Sequence, residues 1–309
     1  MKEKHIILLF VVGAGIVVAA TAMALVAGPL RAFDRGAHDC GVVGTLLQPL
    51  AKESDATATA VTNDGRAQAT RTVRYSDETA DALVLSGCVS TGAIILGVSP
   101  DARSHIEVIV RAKAGSPDAA RALVGGLEPI VRAAPGRLVV FEPSRRWAWS
   151  EDRAAMSAKV LVPAATLVRG DLDTGTGAIT VDGTRLGGLD ASTGTGPVDV
   201  GPSWAEGKLA ASTGTGPIKA RFPALGNATL DFSTGTASIE VALPGNARHG
   251  YDVDANAGVG GVSVDLPDLT FERHDRNGVE ARTRGFDARD VLVHVEVSTG
   301  TGGITLTTV

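Results

Sequence analysis

STGTG stands at residues 192–196, again at 212–216 and again at 298–302, with DTGTG at 173–177 and STGTA at 233–237. A recurring small, polar, glycine-spaced phrase can be a phosphate cradle, a calcium turn, flexible low complexity or the corner of a repeating fold. The flanking residues decide among these. Aligned on the first threonine or its equivalent, the copies fall at Thr174, Thr193, Thr213, Thr234, Ala257 and Thr299. Their intervals are 19, 20, 21, 23 and 42 residues, the last being about two units with an insertion. Low complexity keeps no such period, whereas stacked units that bury their faces against one another do. A Walker loop needs Gly-Lys-Ser/Thr opening a helix, and no copy is followed by lysine. GVGG at 258–261 lacks the third glycine of a dinucleotide fingerprint. Calcium-binding roll repeats need aspartate inside the turn, where this phrase has threonine and glycine.

After each corner comes an apolar–polar–apolar triplet, as in Ile179-Thr180-Val181, Ile218-Lys219-Ala220 and Ile304-Thr305-Leu306. Before each corner lies a second one, as in Leu189-Asp190-Ala191, Leu230-Asp231-Phe232 and Val295-Glu296-Val297. Alternation of this kind is the period of a half-buried strand. The sequence therefore predicts a mainly β fold, a single-stranded β-solenoid of the β-helix kind with coils of about 20 residues. Its corners are Thr174 and Gly175, Thr193 and Gly194, Thr213 and Gly214, Thr234 and Gly235, and Thr299 and Gly300. Glycine supplies the backbone freedom a corner needs, and the stacked threonines are expected to exchange hydroxyl hydrogen bonds between coils.

Three residues before each corner threonine stand Asp171, Asp190, Ala210, Asp231, Asp254 and Glu296, all predicted to face outward. Stacked carboxylates repel unless hydrated, screened or bridged. This column is either a solvated acidic strip or a weak site for divalent cations or a cationic partner. No other metal or cofactor ligand set is present. The opposite face offers Thr180, Asp199, Lys219, Glu240, Ser263 and Thr305, with a salt ladder through Asp199, Lys219 and Glu240. Carboxylates and a base on such a face also admit a carbohydrate-active enzyme of β-helix type. No aromatic residues neighbour the trio to stack on sugars.

The N-terminal part is organised differently. Lys2 and Lys4 precede an uncharged, mostly apolar run from Ile6 to Leu30, longer than the roughly 20 residues that cross a bilayer as a helix. Residues 1–30 are read as a cytoplasmic stub and a transmembrane anchor, with 31–309 extracytoplasmic. Cleavage near Ala22-Met23-Ala24, giving a secreted chain, is the alternative. In an oxidising compartment Cys40 and Cys88, the two cysteines, form a candidate disulfide. Cys88 stands three before Thr91 and so falls in the outward column.

In the juxtamembrane stretch 31–82, Leu46, Leu47 and Leu50 can begin a short helix, and 56–75 reads as a hairpin. Residues 83–165 hold a first coil, VSTGAIILGVS at 89–99, with HIEVIV at 105–110 as its partner strand. Ser116-Pro117 then opens a helix whose apolar face runs from Ala120 to Val131. Strands follow at 137–143 and 157–164, joined by a segment bearing Trp147 and Trp149, and the repeats fill 166–309. A net charge of −5 gives no basic footprint for nucleic acid, and no histidine has a partner at ligand or triad spacing.

A glycine-turn strand, a strand of alternating valines, one helix, a strand ending in VPA and serial TGTG units resemble the bacterial and archaeal "putative adhesin" β-strand-repeat family of unknown function. The resemblance covers roughly 83–309. It implies an envelope-exposed β-solenoid behind a single membrane helix, with no catalytic residues to carry over. This chain departs from it in the 267–290 insertion and in 31–82. The expected function is a membrane-anchored, adhesin-like display module that binds an envelope protein or polysaccharide without chemistry of its own. A polysaccharide lyase or hydrolase and an envelope-stress-sensing ectodomain are the alternatives.

Overall fold

The computed structural model describes residues 48–61, 66–78, 80–141 and 154–309. The apolar run at 6–30, Leu46, Leu47, Cys40, Trp147 and Trp149 lie outside the described residues. Among the described residues no helix is long and apolar enough to cross a membrane.

Around each TGTG phrase the alternating segments form a pair of strands, the longer in one sheet and the shorter in the other. The pairs are β4 (Ala82–Thr91) with β5 (Ile94–Val98), β10 (Leu167–Thr176) with β11 (Ile179–Asp182), and β12 (Arg185–Thr195) with β13 (Val198–Gly201). Next come β14 (Trp204–Thr213) with β15 (Ile218–Arg221), β16 (Leu225–Thr236) with β17 (Ile239–Leu243), β18 (His249–Val259) with β19 (Val262–Val264), and β22 (Val291–Thr301) with β23 (Ile304–Thr308). Like strands pair in parallel, residue for equivalent residue. Period-two patterning then aligns the apolar side chains into columns. Leu172, Ala191, Ala211, Phe232, Val297 and Ala255 make one, and Ile179, Val198, Ile218, Ile239 and Ile304 another. All are buried between the two sheets, which among the described residues have 12 and 11 strands and do not close into a barrel.

Stacking order departs from sequence order at both ends. The pair β22/β23 sits between β16/β17 and β18/β19. The intervening hairpin, β20 (Leu269–His274) and β21 (Gly278–Thr283), pairs antiparallel on the far edge of β18. The 267–290 insertion thus covers one end of the sheet while the chain returns to fill the vacant slot. At the other end β8 (Arg137–Phe141) and β9 (Ala154–Val162) stack on the side of β4/β5 away from β10/β11.

Beyond β9 the second sheet turns antiparallel through β6 (Arg103–Ala114), β3 (Ala67–Glu78) and β2 (Lys52–Val61). Residues 105–110 therefore do not partner the 89–99 segment. β9 lies between β5 and β6, and β4 is the mate of β5. No helix begins at Leu50, which follows the short strand β1 (Gln48–Pro49) and packs on the core. β1 pairs with β7 (Ile130–Ala134), which pairs with β8.

Helix α1 (Pro117–Gly125) starts as the sequence predicts, with the Ser116 hydroxyl accepting from the Ala119 amide at 3.2 Å. It ends earlier than predicted. Gly125 and Gly126 weaken the helix, Pro129 follows, and Ile130 and Val131 enter β7 instead. Ala120 and Val124 bury the helix against the end of the core, and Leu127 just beyond it is buried as well. One hydrophobic cluster runs from Ala67 to Leu306, so the boundaries drawn at 82/83 and 165/166 fall within a shared core.

The α1 end is tied by a buried cation. Arg71 on β3 is 7% exposed and forks onto Asp55 of β2 at 2.8 and 2.5 Å, with further bonds to Glu128 at 2.9 Å and the Leu127 carbonyl at 3.3 Å. Lys52 closes the cluster on Glu128 at 2.5 Å. The Arg71 hydrogen bonds hold the Asp55 carboxyl down at about 2. Arg71→Ala is expected to remove about 2–3 kcal/mol in denaturant melts at neutral pH, a discounted figure because both carboxylates keep solvent contact. A depressed acid stabilises above its unfolded value and loses that contribution as pH falls toward the folded one. The deficit should therefore shrink between about pH 4 and pH 2; a pH-independent deficit would assign the loss to packing alone.

Candidate functional site

The outer face of the first sheet carries the predicted acidic column in register, in the order Asp171, Asp190, Ala210, Asp231, Glu296, Asp254. Periodicity identified the face but not the order, because Glu296 arrives with the inserted β22. Neighbouring strands set these groups about 4.8 Å apart, side by side. Among the described residues no three His, Cys, Asp or Glu side chains come together to hold a metal ion. Parallel side chains on a pleated sheet do not converge. The burial of Asp190 among its neighbours, then the Asp171 carboxylate, raise its carboxyl above the ordinary range.

The insertion neutralises one end of the column. Arg273 of β20 reaches Glu280 of β21 at 3.2 Å, Asp254 at 4.0 Å and the Asn256 side-chain oxygen at 2.6 Å. Arg282 approaches Asp252 at 3.9 Å, and His294 approaches the same carboxylate at 3.3 Å. The departure from the repeat is thus an end cover carrying countercharge.

A second outward row, one pleat along, runs Cys88, Asp173, Ser192, Ser212, Ser233, Ser298, Asn256. Ser212 donates to Ser192 at 3.3 Å. Cys88 was expected level with Asp171. The ladder instead sets Thr91 beside Thr176 and Cys88 beside Asp173, two residues further on but on the same face. Although its column faces out, Cys88 is only 9% exposed and packs with Val139, Ile130 and Ala134 in a small cluster apart from the main core. It is not a free thiol. Cys40, its candidate partner, lies outside the described residues.

Asp173 was not singled out from the sequence, yet it is the one aspartate in a position where the other TGTG copies have serine. That irregularity was the available signal. Burial chiefly, then Asp190 and Asp171, push its carboxyl up to about 7. A raised acid stabilises below its unfolded value and loses that contribution as pH rises through the folded one. Stability should therefore fall between about pH 4 and pH 7. Asp173→Asn is expected to leave the unfolding free energy at pH 4 unchanged and raise it at pH 8, by about 1–2 kcal/mol after discounting for partial exposure. Parallel pH profiles for variant and parent would overturn this assignment.

The corner threonines differ from expectation. Thr174, Thr193, Thr213, Thr234 and Thr299 are buried. Rather than exchanging hydroxyl bonds, each donates to a backbone carbonyl of the stacked unit: Gly92, Gly177, Gly196, Gly216 and Ala237 respectively, at 2.8–3.0 Å. Inward-facing hydroxyls have no water, so they satisfy themselves on the carbonyls the corner leaves open.

On the outer face of the second sheet Asp199, Lys219, Glu240 and Thr305 stand in one row, with Lys219 at 3.6 Å from Glu240. The row borders a shallow depression of about 430 Å³.

No family model matches this chain, and no curated protein matches it. Solved structures do. A "putative cell adhesion protein" from Clostridium sporogenes is 13% identical, covers 83% of this chain and 100% of its own, and has a TM-score of 0.44. A "putative adhesin" from Bacteroides fragilis is 11% identical over 77% of this chain and 97% of its own, at a TM-score of 0.30. A "putative lipid binding protein" from Parabacteroides distasonis is 10% identical over 77% and 96%, at 0.23. Likeness at this level carries nothing about ligand or activity.

Proposed function

We propose that the chain is a non-catalytic binding module of the cell envelope, a β-solenoid rod held at the membrane through residues 6–30. One observation carries this reading: the polar groups stand as in-register rows along open sheet faces, instead of converging in a cleft that excludes water. Rows suit extended or repeated ligands met over many weak contacts, whereas hydrolysis needs an acid and a base enclosing one bond. A Cys40–Cys88 bridge would fasten the segment behind the membrane span to the first sheet; two free thiols in the denatured, unreduced chain would end that part of the reading. The test is capture of envelope polysaccharide or protein by the detergent-solubilised full-length chain, with a parallel assay for new reducing ends. Saturable capture without cleavage supports display, and turnover of the polysaccharide refutes it.

A further inference from the structure

The depression on the second sheet is assembled from strands far apart in sequence. β13 supplies Asp199, β15 Lys219 and Arg221, β17 Glu240, and the inserted β23 Thr305 and Thr307. Lys219 leans toward Glu240, and those two charges offset each other at 3.6 Å. Asp199 faces Lys219 from the other side, yet among the described residues it forms no ion pair. Arg221 is exposed and there makes neither an ion pair nor a side-chain hydrogen bond. Its ladder neighbour on β17 is Ala242, and Gly201 lies one step beyond the Val200–Ala220 pair on β13. Small residues on both flanks leave the guanidinium fork open.

The depression therefore offers one uncompensated anion and one uncompensated cation on diagonal positions, about 7–8 Å apart along the sheet. A singly charged ligand would satisfy one and be repelled by the other. A ligand with both charges at matching spacing satisfies both, and the threonine hydroxyls serve its polar middle. We propose that this depression binds an amphoteric ligand, one carrying a carboxylate for Arg221 and an ammonium for Asp199 about 6–7 Å apart, the span of two residues. Peptide ends and amino-sugar acids share that chemistry. The proposal rests on the reading of the chain as a binding module and names the chemistry one face selects.

The test uses isotope-labelled full-length chain with two probes, glycylglycine and 2-amino-2-deoxyglucuronic acid, whose amine and carboxyl stand across the ring from each other. Each is compared with forms blocked at nitrogen by acetylation or at the carboxyl by amidation. Saturable shifts in amides of β13, β15, β17 and β23 are expected for an unblocked probe, with about tenfold weaker binding for either blocked form. Arg221→Gln and Asp199→Asn should each reproduce that loss while leaving the melting temperature unchanged, because both side chains are exposed. High salt should weaken binding. Preference between the probes separates the peptide from the sugar source. Equal binding of blocked forms, or no shifts in these strands with either probe, overturns the site. Envelope capture that survives Arg221→Gln also refutes the site but leaves the binding-module reading standing; probe binding without envelope capture refutes that reading instead.

Discussion

A chain ending at Asp290 is expected to lose far more than one repeat's share of stability. In a stack where sequence neighbours are also spatial neighbours, removing the last unit removes one interface. Here the last unit is interior, so its removal strips two: β16 and β17 lose partners on one side, β18 and β19 on the other. The deleted strands bury Val293, Val295, Val297, Ile304 and Leu306. At about 1.5–3 kcal/mol each, an upper range, these five approach the whole stability of an ordinary domain. The bond from the Leu292 amide to the Asn227 side chain, at 2.9 Å, goes as well. Hydrogen exchange should show residues 249–283 unprotected and the remaining melt lowered by well over 10 °C. A truncated chain that melts within a few degrees of the parent, with β18 still protected, would falsify the interior placement.

Gly196→Ala is expected to be strongly damaging. Gly196 has φ 146°, and a Cβ built there would lie 2.1 Å from the Gly177 carbonyl oxygen of the stacked unit. That oxygen also receives the Thr193 hydroxyl at 3.0 Å, so it is not free to retreat. Backbone strain of about 1–3 kcal/mol adds to a clash relieved only by parting the ladder. A loss of about 3–5 kcal/mol follows, near 10 °C for a chain of this size. The counterpart is Ala237, which holds φ 157° in the equivalent corner. Ala237→Gly should be neutral or stabilising by up to about 1 kcal/mol, strain relief being partly offset by unfolded-chain entropy. If both substitutions behaved alike, the corner would not be where backbone freedom is needed.

Much of this was legible because the signal is local. Alternation around STGTG gave the strands, their inward faces and the pairing of Asp171 with Asp190 and of Lys219 with Glu240. The Ser116 cap was legible for the same reason. Long-range choices were not. Nothing in the repeat at 291–308 distinguishes a unit that stacks last from one that slides between two others, since all units present the same edge. The helix was read too long because Ile130 and Val131 suit a helix face as well as a short strand. Asp173 and Arg221 escaped attention because each is ordinary alone. What sets them apart is burial in one case and small neighbours in the other, both supplied by strands elsewhere in the chain.

Neither spatial end of the stack is an end of the repeat sequence, and this has a consequence in time. One end is finished by the β20–β21 hairpin, and the other by α1 with the antiparallel strands beside it. A chain emerging N-terminus first can seat β10 through β17 one after another as they appear. It can then make β18 through β21 but has nowhere to put them until residues 291–308 arrive to fill the gap. Residues 291–308 are thus the stretch that joins two finished halves. A chain arrested before residue 291 has emerged should show an ordered middle and a loose far end, closing in a single step once 291–308 follow.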